Sequence, residues 1–161
     1  MVKEKNETTL EGSQMNRFQI AVLATSDISL GYSKGLQAMK GNSSMLKVSD
    51  NRSLQGSVDI DACTKALYPN ASRWDYAVGY KDRTYLVEVH PANTSNVVEM
   101  INKAKWLEGW LKDKAVEIAK IRMNNLYWIP SGKVALLKTS PQYRRLALHR
   151  LVLTSNPLMI K

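Results

Sequence analysis

Two acids, a histidine and a lysine near the middle of this chain have the types and spacing to do chemistry. Asp75 lies in Arg73-Trp74-Asp75-Tyr76, and Glu88 and His90 lie in Tyr85-Leu86-Val87-Glu88-Val89-His90-Pro91. Lys103 follows in a helical stretch. A carboxylate set among apolar residues is costly to keep ionised unless a cation or a hydrogen-bond donor meets it. Two such carboxylates on adjacent strands of a hairpin make half of a metal site, and a pair of this kind would serve metal-assisted phosphodiester chemistry.

The elements that must position these groups are legible around them. Trp74 to Tyr80 and Thr84 to His90 read as the two strands of a hairpin, joined by Lys81-Asp82-Arg83. Alternation puts Glu88 and His90 on one face with Leu86, and Tyr85, Val87 and Val89 on the other. Pro91-Ala92-Asn93-Thr94 ends the second strand, and Thr94 or Ser95 caps the next helix. Val97, Ile101, Ala104, Leu107 and Leu111 form its apolar stripe. Lys103, Trp106, Leu107 and Trp110 run along an adjoining ridge, and Gly109 weakens the last turn.

Before the hairpin, Ser57 reads as a helix N-cap, with Asp59 and Asp61 in a first turn whose dipole favours acids. That helix is expected to run to about Leu67 and stop at Tyr68-Pro69-Asn70. After the long helix come a second helical stretch, Ala115 to Met123, and a strand, Leu126 to Ile129. Ser140-Pro141 opens a basic helix through Tyr143, Arg144, Arg145 and Leu148, and Leu151 to Thr154 reads as a final strand. Near the start, Phe18 to Ala24 fits a strand or a helix, and Met45 to Val48 a short strand.

The whole chain sets the bounds. Its 161 residues, 44% of them apolar, suit one α/β domain over residues 17–161 behind a polar tail over residues 1–16. No run of about eighteen apolar residues exists, so no membrane association is expected. The charged N-terminus is no secretory signal. Cys63 is the only cysteine, which excludes an internal disulfide and fits a reducing cytoplasm. The net charge of +9 is unevenly spread. Residues 1–111 hold 13 Lys and Arg against 12 Asp and Glu, and residues 112–161 hold 10 against 2. Such a basic stretch attracts phosphate backbones, with Lys138, Arg144 and Arg145 as candidate contacts, and it would equally attract an acidic protein. No glycine-rich phosphate loop, G-x-S-x-G turn or zinc spacing occurs.

Asp75, a twelve-residue gap, Glu88-x-His90 and a following helix with an inward polar residue resemble the PD-(D/E)XK nuclease superfamily, over roughly residues 57–130. The resemblance implies a restriction-endonuclease-like fold: a mixed central sheet flanked by helices. It implies that Asp75 and Glu88 hold a divalent metal, magnesium above all, and that His90 stands at the lysine position. Lys103 falls on the polar position of the following helix, and Asp59 or Asp61 on the extra acid of the preceding one. Two departures stand out: Trp74 precedes the aspartate where the superfamily has proline, and His90 brings no permanent cation, a charge that Lys103 could supply. The block from Gly56 to Leu107 also resembles an uncharacterised bacterial family.

Each residue also has an ordinary explanation. Asp75 could pair with Arg73 or Arg83, Glu88 could face solvent on an edge strand, and Lys103 could be a solvated helix residue. The expected function is therefore a divergent metal-dependent nuclease or nuclease-like nucleic-acid-binding protein. The alternative is a catalytically inactive relative serving as a protein-interaction module, docking a partner through its tryptophan ridge.

Overall fold

In the computed structural model, which describes residues 14–161, the Asn16 side chain accepts the Gln19 N–H and opens helix α1 (Arg17–Leu23). That cap resolves the choice between strand and helix in favour of the helix. The tail expected over residues 1–16 lies, as far as residue 13, outside the described residues. Asn16 itself is tied down, because its Nδ2 also donates to the Gln55 carbonyl. After 3-10 turns come strand β1 (Leu46–Val48) and strand β2 (Leu54–Asp59).

The helix expected from Ser57 is not formed there. Ser57 is a central residue of β2, bridged to Ser33, and its hydroxyl accepts the Ala38 N–H. The helix starts later and is short, α2 (Ile60–Thr64), capped by Asp59 through the Ala62 N–H. A serine followed by acids satisfies the capping pattern in either case; pairing with the next strand decided for the strand.

That next strand is β3 (Tyr76–Tyr80), antiparallel to β2 and to β4 (Arg83–His90). Tyr80 pairs with Arg83, so the hairpin turn is only Lys81 and Asp82. Both have positive φ, 50° and 62°, the geometry of a two-residue turn that follows the twist of the strands. Gly79 lets α1 approach β3, because a β-carbon there would collide with the Phe18 ring. Helix α3 (Val97–Asp113) and the short α4 (Val116–Lys120) then carry the chain to β5 (Arg122–Pro130), which lies parallel to β4. Ser140 caps α5 (Pro141–Ala147), with proline in its first turn as expected, and β6 (Leu151–Leu153) adds parallel to β5. A last strand, β7 (Leu158–Ile160), pairs in parallel with β1.

The result is a five-stranded mixed sheet in the order β2-β3-β4-β5-β6, with helices against it. One face buries Val58, Ala77, Leu86, Leu126 and Trp128 under α1 and α3. The other face buries Tyr76, Val78, Tyr80 and Val87 with Leu46 of β1 and Ile160 of β7. Strand β4 is the middle strand, so a charged residue on it is enclosed from both sides. Among the described residues no helix is long and apolar enough to cross a membrane.

Candidate active site at the end of the central hairpin

Tyr76 pairs with Val87, so one residue further Asp75 stands opposite Glu88. Directly opposed residues of an antiparallel pair share a face, and this face is the one covered by α3. The carboxylates replace ladder bonds. Glu88 Oε1 accepts the Asp75 N–H at 3.0 Å, and Asp75 Oδ2 accepts the Val89 N–H at 3.0 Å. Glu88 is buried, with 1% of its surface exposed, which rules out the ordinary explanation of an exposed acid on an edge strand.

Lys103 answers the buried charge. Its Nζ lies 3.0 Å from Glu88 Oε2 and donates to the Arg73 carbonyl at 2.8 Å, so it is no solvated helix residue. Burial is the largest single influence and works against the ammonium, yet the charge and hydrogen bond of Glu88, with the charges of Asp75 and Asp61, together outweigh it, and the Lys103 pKa is raised. His90 shares the face of Glu88, as alternation required. Its Nδ1 is 3.5 Å from Glu88 Oε2 and its Nε2 2.9 Å from Glu99 Oε1. The hydrogen bond to Glu88 outweighs burial and lifts the His90 pKa. Glu99, in the first turn of α3, was not anticipated from the sequence; it stands nine residues beyond His90, across the strand-to-helix turn.

Asp75 is the least compensated member. Burial, followed by the charge of Glu88, pushes its carboxyl up to about 7, against the Val89 backbone bond and the more weakly acting Lys103 charge, which favour the anion. It pairs with neither Arg73 nor Arg83. Arg73 instead binds Asp61 at 2.8 Å and the Tyr68 carbonyl at 2.8 Å. The Asp75 carbonyl accepts the Ile60 N–H at 2.8 Å, which ties the start of α2 to the site.

The two candidate extra acids part company. Asp61 lies near enough to raise the Asp75 pKa further. Asp59 pairs in register with Tyr76, on the opposite sheet face, and serves as the α2 cap. Lys138, Arg144 and Arg145 are exposed on α5 and the loop before it; α5 packs beside β6 and α3. Among the described residues no hydrogen bond or ion pair joins them to the Asp75 cluster, and Arg144 donates to the Thr139 carbonyl.

The donor set can be compared with what a metal requires. Among the described residues no three acids, histidines or cysteines cluster as ligands. Magnesium, however, commonly takes one or two carboxylates and keeps several waters. Asp75 and Glu88 supply two, directly opposed. Asp75 Oδ1 has no hydrogen-bond partner among the described residues, and burial together with the Glu88 charge penalises the Asp75 anion, which a bound cation would favour. The residues therefore fit the ion in number and charge. No protein-family model matches this chain, and no curated protein and no solved structure matches it.

Proposed function

We propose that this chain is a metal-dependent phosphodiesterase of restriction-endonuclease-like architecture that acts on nucleic acid in the cytoplasm. The observation that carries the reading is the convergence of Asp75, Glu88 and Lys103 from two opposed strand ends and the following helix. The order of the elements supports it: an antiparallel run of three strands, a helix, then a strand parallel to the third. Asp75 and Glu88 would hold a magnesium ion, which when bound lowers the pKa of a coordinated water and offsets phosphate charge.

The remaining work falls to the chain's own side chains. Lys103, fixed at its Nζ by Glu88 and the Arg73 carbonyl, places a permanent cation beside the two acids, the charge that His90 does not guarantee. His90, held between Glu88 and Glu99, is positioned to hold or pass a proton at a ring nitrogen. Lys138, Arg144 and Arg145 lie in the basic part of the chain and would meet the phosphate backbone.

One observation favours a second reading. Both oxygens of Glu88 are already engaged, Oε1 by the Asp75 N–H and Oε2 by Lys103 and His90. A network closed in this way suits a catalytically inactive relative that keeps the scaffold and binds a protein partner. The experiment that separates the two incubates the protein with plasmid DNA, single-stranded DNA and RNA, with Mg²⁺, with Mn²⁺ or with a chelator, and follows the melting temperature with each metal. Cleavage that needs the metal and disappears in Glu88→Gln supports the phosphodiesterase. Absence of both cleavage and metal-induced stabilisation supports the inactive scaffold.

A further inference from the structure

The flank of α3 that carries Lys103 continues, one turn on, into an open aromatic groove with no part in the chemistry above. The Trp106 ring stacks on Trp110, centroids 5.7 Å and planes 14° apart, and Tyr68 meets Trp106 edge-on with centroids 5.9 Å apart. Asp27 fixes these walls. Its Oδ2 accepts the Tyr68 hydroxyl at 2.6 Å and the Trp110 indole N–H at 3.0 Å. The first bond pushes the Tyr68 pKa up to about 12, so the hydroxyl keeps its proton. The open groove offers about 290 Å³, and Gly109, Lys105, Lys114 and Asp113 line it beside the aromatic rings.

Gly109 is an independent observation. Glycine weakens a helix interior, and α3 runs for 17 residues around it. Gly79 makes room for the Phe18 ring, whereas a β-carbon on Gly109 would meet nothing within 4 Å. The protein's own packing does not use the space over Gly109.

We infer that this groove takes a base of single-stranded nucleic acid, laid over Gly109 and stacked against Trp106, with the neighbouring phosphates meeting Lys105 and Lys114. Flat aromatic walls accept the π-face of any base. Lys105 and Lys114 are exposed and open to a strand's phosphates, whereas one of the two nearby acids, Asp27, is engaged by Tyr68 and Trp110. Trp106 stands about 4.5 Å along the helix axis from Lys103 and about 60° around it, so a base stacked on it would flank the phosphate presented to Asp75 and Glu88. A duplex keeps its bases stacked inside, which makes an unpaired strand the substrate class. The substrate role rests on the phosphodiesterase reading; the binding does not.

The test measures fluorescence anisotropy of labelled oligothymidylate, of an abasic strand of equal length and of a duplex, all with chelator present so that no cleavage intervenes. Trp106→Ala removes the platform but also loosens Tyr68. Gly109→Leu fills the groove with a better helix former, so its melting temperature should match or exceed that of the unsubstituted protein. The unsubstituted protein should bind oligothymidylate about tenfold more tightly than the abasic strand, and Gly109→Leu should bind the two alike. Equal binding of both strands by the unsubstituted protein, or a base preference that survives Gly109→Leu, overturns the inference and leaves the groove to an apolar peptide. Base-dependent binding without any metal-dependent cleavage overturns the phosphodiesterase and keeps the groove. Metal-dependent cleavage without base-dependent binding does the reverse.

Discussion

Helix α3 has an ion cluster on each flank, and the two differ in kind. On one flank Glu88 meets Lys103 at 3.0 Å and His90 at 3.5 Å. On the other Glu108 meets Arg122 through bonds of 2.6 Å and 3.0 Å, and Arg150 at 3.3 Å. Each has one acid facing two basic side chains, so counting pairs does not separate them. Solvent and surplus charge do. Glu108 is 36% exposed and outnumbered by arginines, which tie it to the start of β5 and the residue before β6. Glu88 is enclosed and has a second carboxylate, Asp75, opposed to it with no cation of its own. The first arrangement holds elements together; in the second, burial and the Glu88 charge penalise the Asp75 anion, a penalty that a proton or a bound cation would relieve.

The strongest way to break this comparison is to neutralise each acid in turn. Glu88→Gln leaves Lys103, itself 15% exposed, without its counter-charge. Removing one partner of a buried pair costs about 3–5 kcal/mol, and cleavage should disappear with it. Glu108→Gln should cost about 1 kcal/mol or less, the range of solvated pairs, and leave cleavage intact. Urea midpoints measure the first quantity and a nuclease assay the second. Equal stability losses would mean that the two clusters are the same kind of structural device.

The pH dependence of stability separates the flanks next. Asp75 titrates at about 7 in the folded chain, against 3.8 for an ordinary aspartate. The folded state therefore holds this proton more tightly, and the associated stability is full below about pH 4 and declines as the pH rises to about 7. His90 acts in the same sense: its contribution is full below its unfolded value near 6.5 and is lost as the pH rises through its higher folded pKa. Each tenfold difference in proton affinity between the folded and unfolded chain corresponds to about 1.4 kcal/mol. Asp75→Asn should flatten the decline and be more stable than the unsubstituted protein at about pH 8, measured by urea unfolding across the pH range. Glu108→Gln should leave the slope where it was. His90 leaves a decline above about pH 6.5 in either protein, so the window from about pH 4 to 6 decides: a slope there that survives Asp75→Asn would show that Asp75 is ionised at low pH like any surface acid.

The near flank was largely legible in the sequence and the far flank was not, for physical reasons. The alternation of Leu86, Glu88 and His90 fixes a shared face, but the residue opposite Glu88 depends on the turn: the expected turn through Arg83 would set Tyr76 there, and the observed two-residue turn sets Asp75. Lys103 beside the apolar stripe of α3 then has one direction in which to reach. Glu99 carries no such signal, because its meeting with His90 depends on how α3 leaves the strand, which no local pattern encodes. The same holds for Glu108, Arg122 and Arg150, which lie on three separate elements. Strand β2 reads locally as a helix because Ser57 and the acids after it fit a cap, while its pairing with β3 is tertiary. Parallel pairing of β1 with β7, three residues each and far apart in the chain, leaves no local mark at all.

A smaller effect is expected from the basic surface that α5 adds beyond the far flank. Arg144 and Arg145 are both exposed in the last turn of that helix. Reversing both to Glu should weaken nucleic-acid binding and flatten its salt dependence, by up to about 0.9 in log–log slope for each duplex phosphate no longer neutralised. Anisotropy titrations at several salt concentrations measure this. Binding that ignores salt and tolerates the reversal would confine recognition to the Lys103 flank.

The smallest effect concerns Arg150, and it sharpens what the far cluster is for. This residue has φ of 56°, a left-handed conformation that L side chains adopt at a cost of about 1–2 kcal/mol. Its ion pair with Glu108, at 3.3 Å and with half of its side chain in solvent, is worth about 0–1 kcal/mol. The strain is the larger of the two by about 1 kcal/mol. Arg150→Ala keeps the backbone strain and loses the pair, so it should destabilise by about 0.5 kcal/mol. Arg150→Gly relieves the strain but loses the pair and, through the extra chain entropy glycine gives up on folding, about another 0.5–1 kcal/mol, which leaves it within about 0.5 kcal/mol of the unsubstituted protein. The difference between the two variants in urea midpoint isolates the backbone term from the charge. Neither should change cleavage. If Arg150→Ala lost activity while remaining folded, the far flank would belong to the functional surface, and exposure to solvent would no longer distinguish a structural ion cluster from a working one.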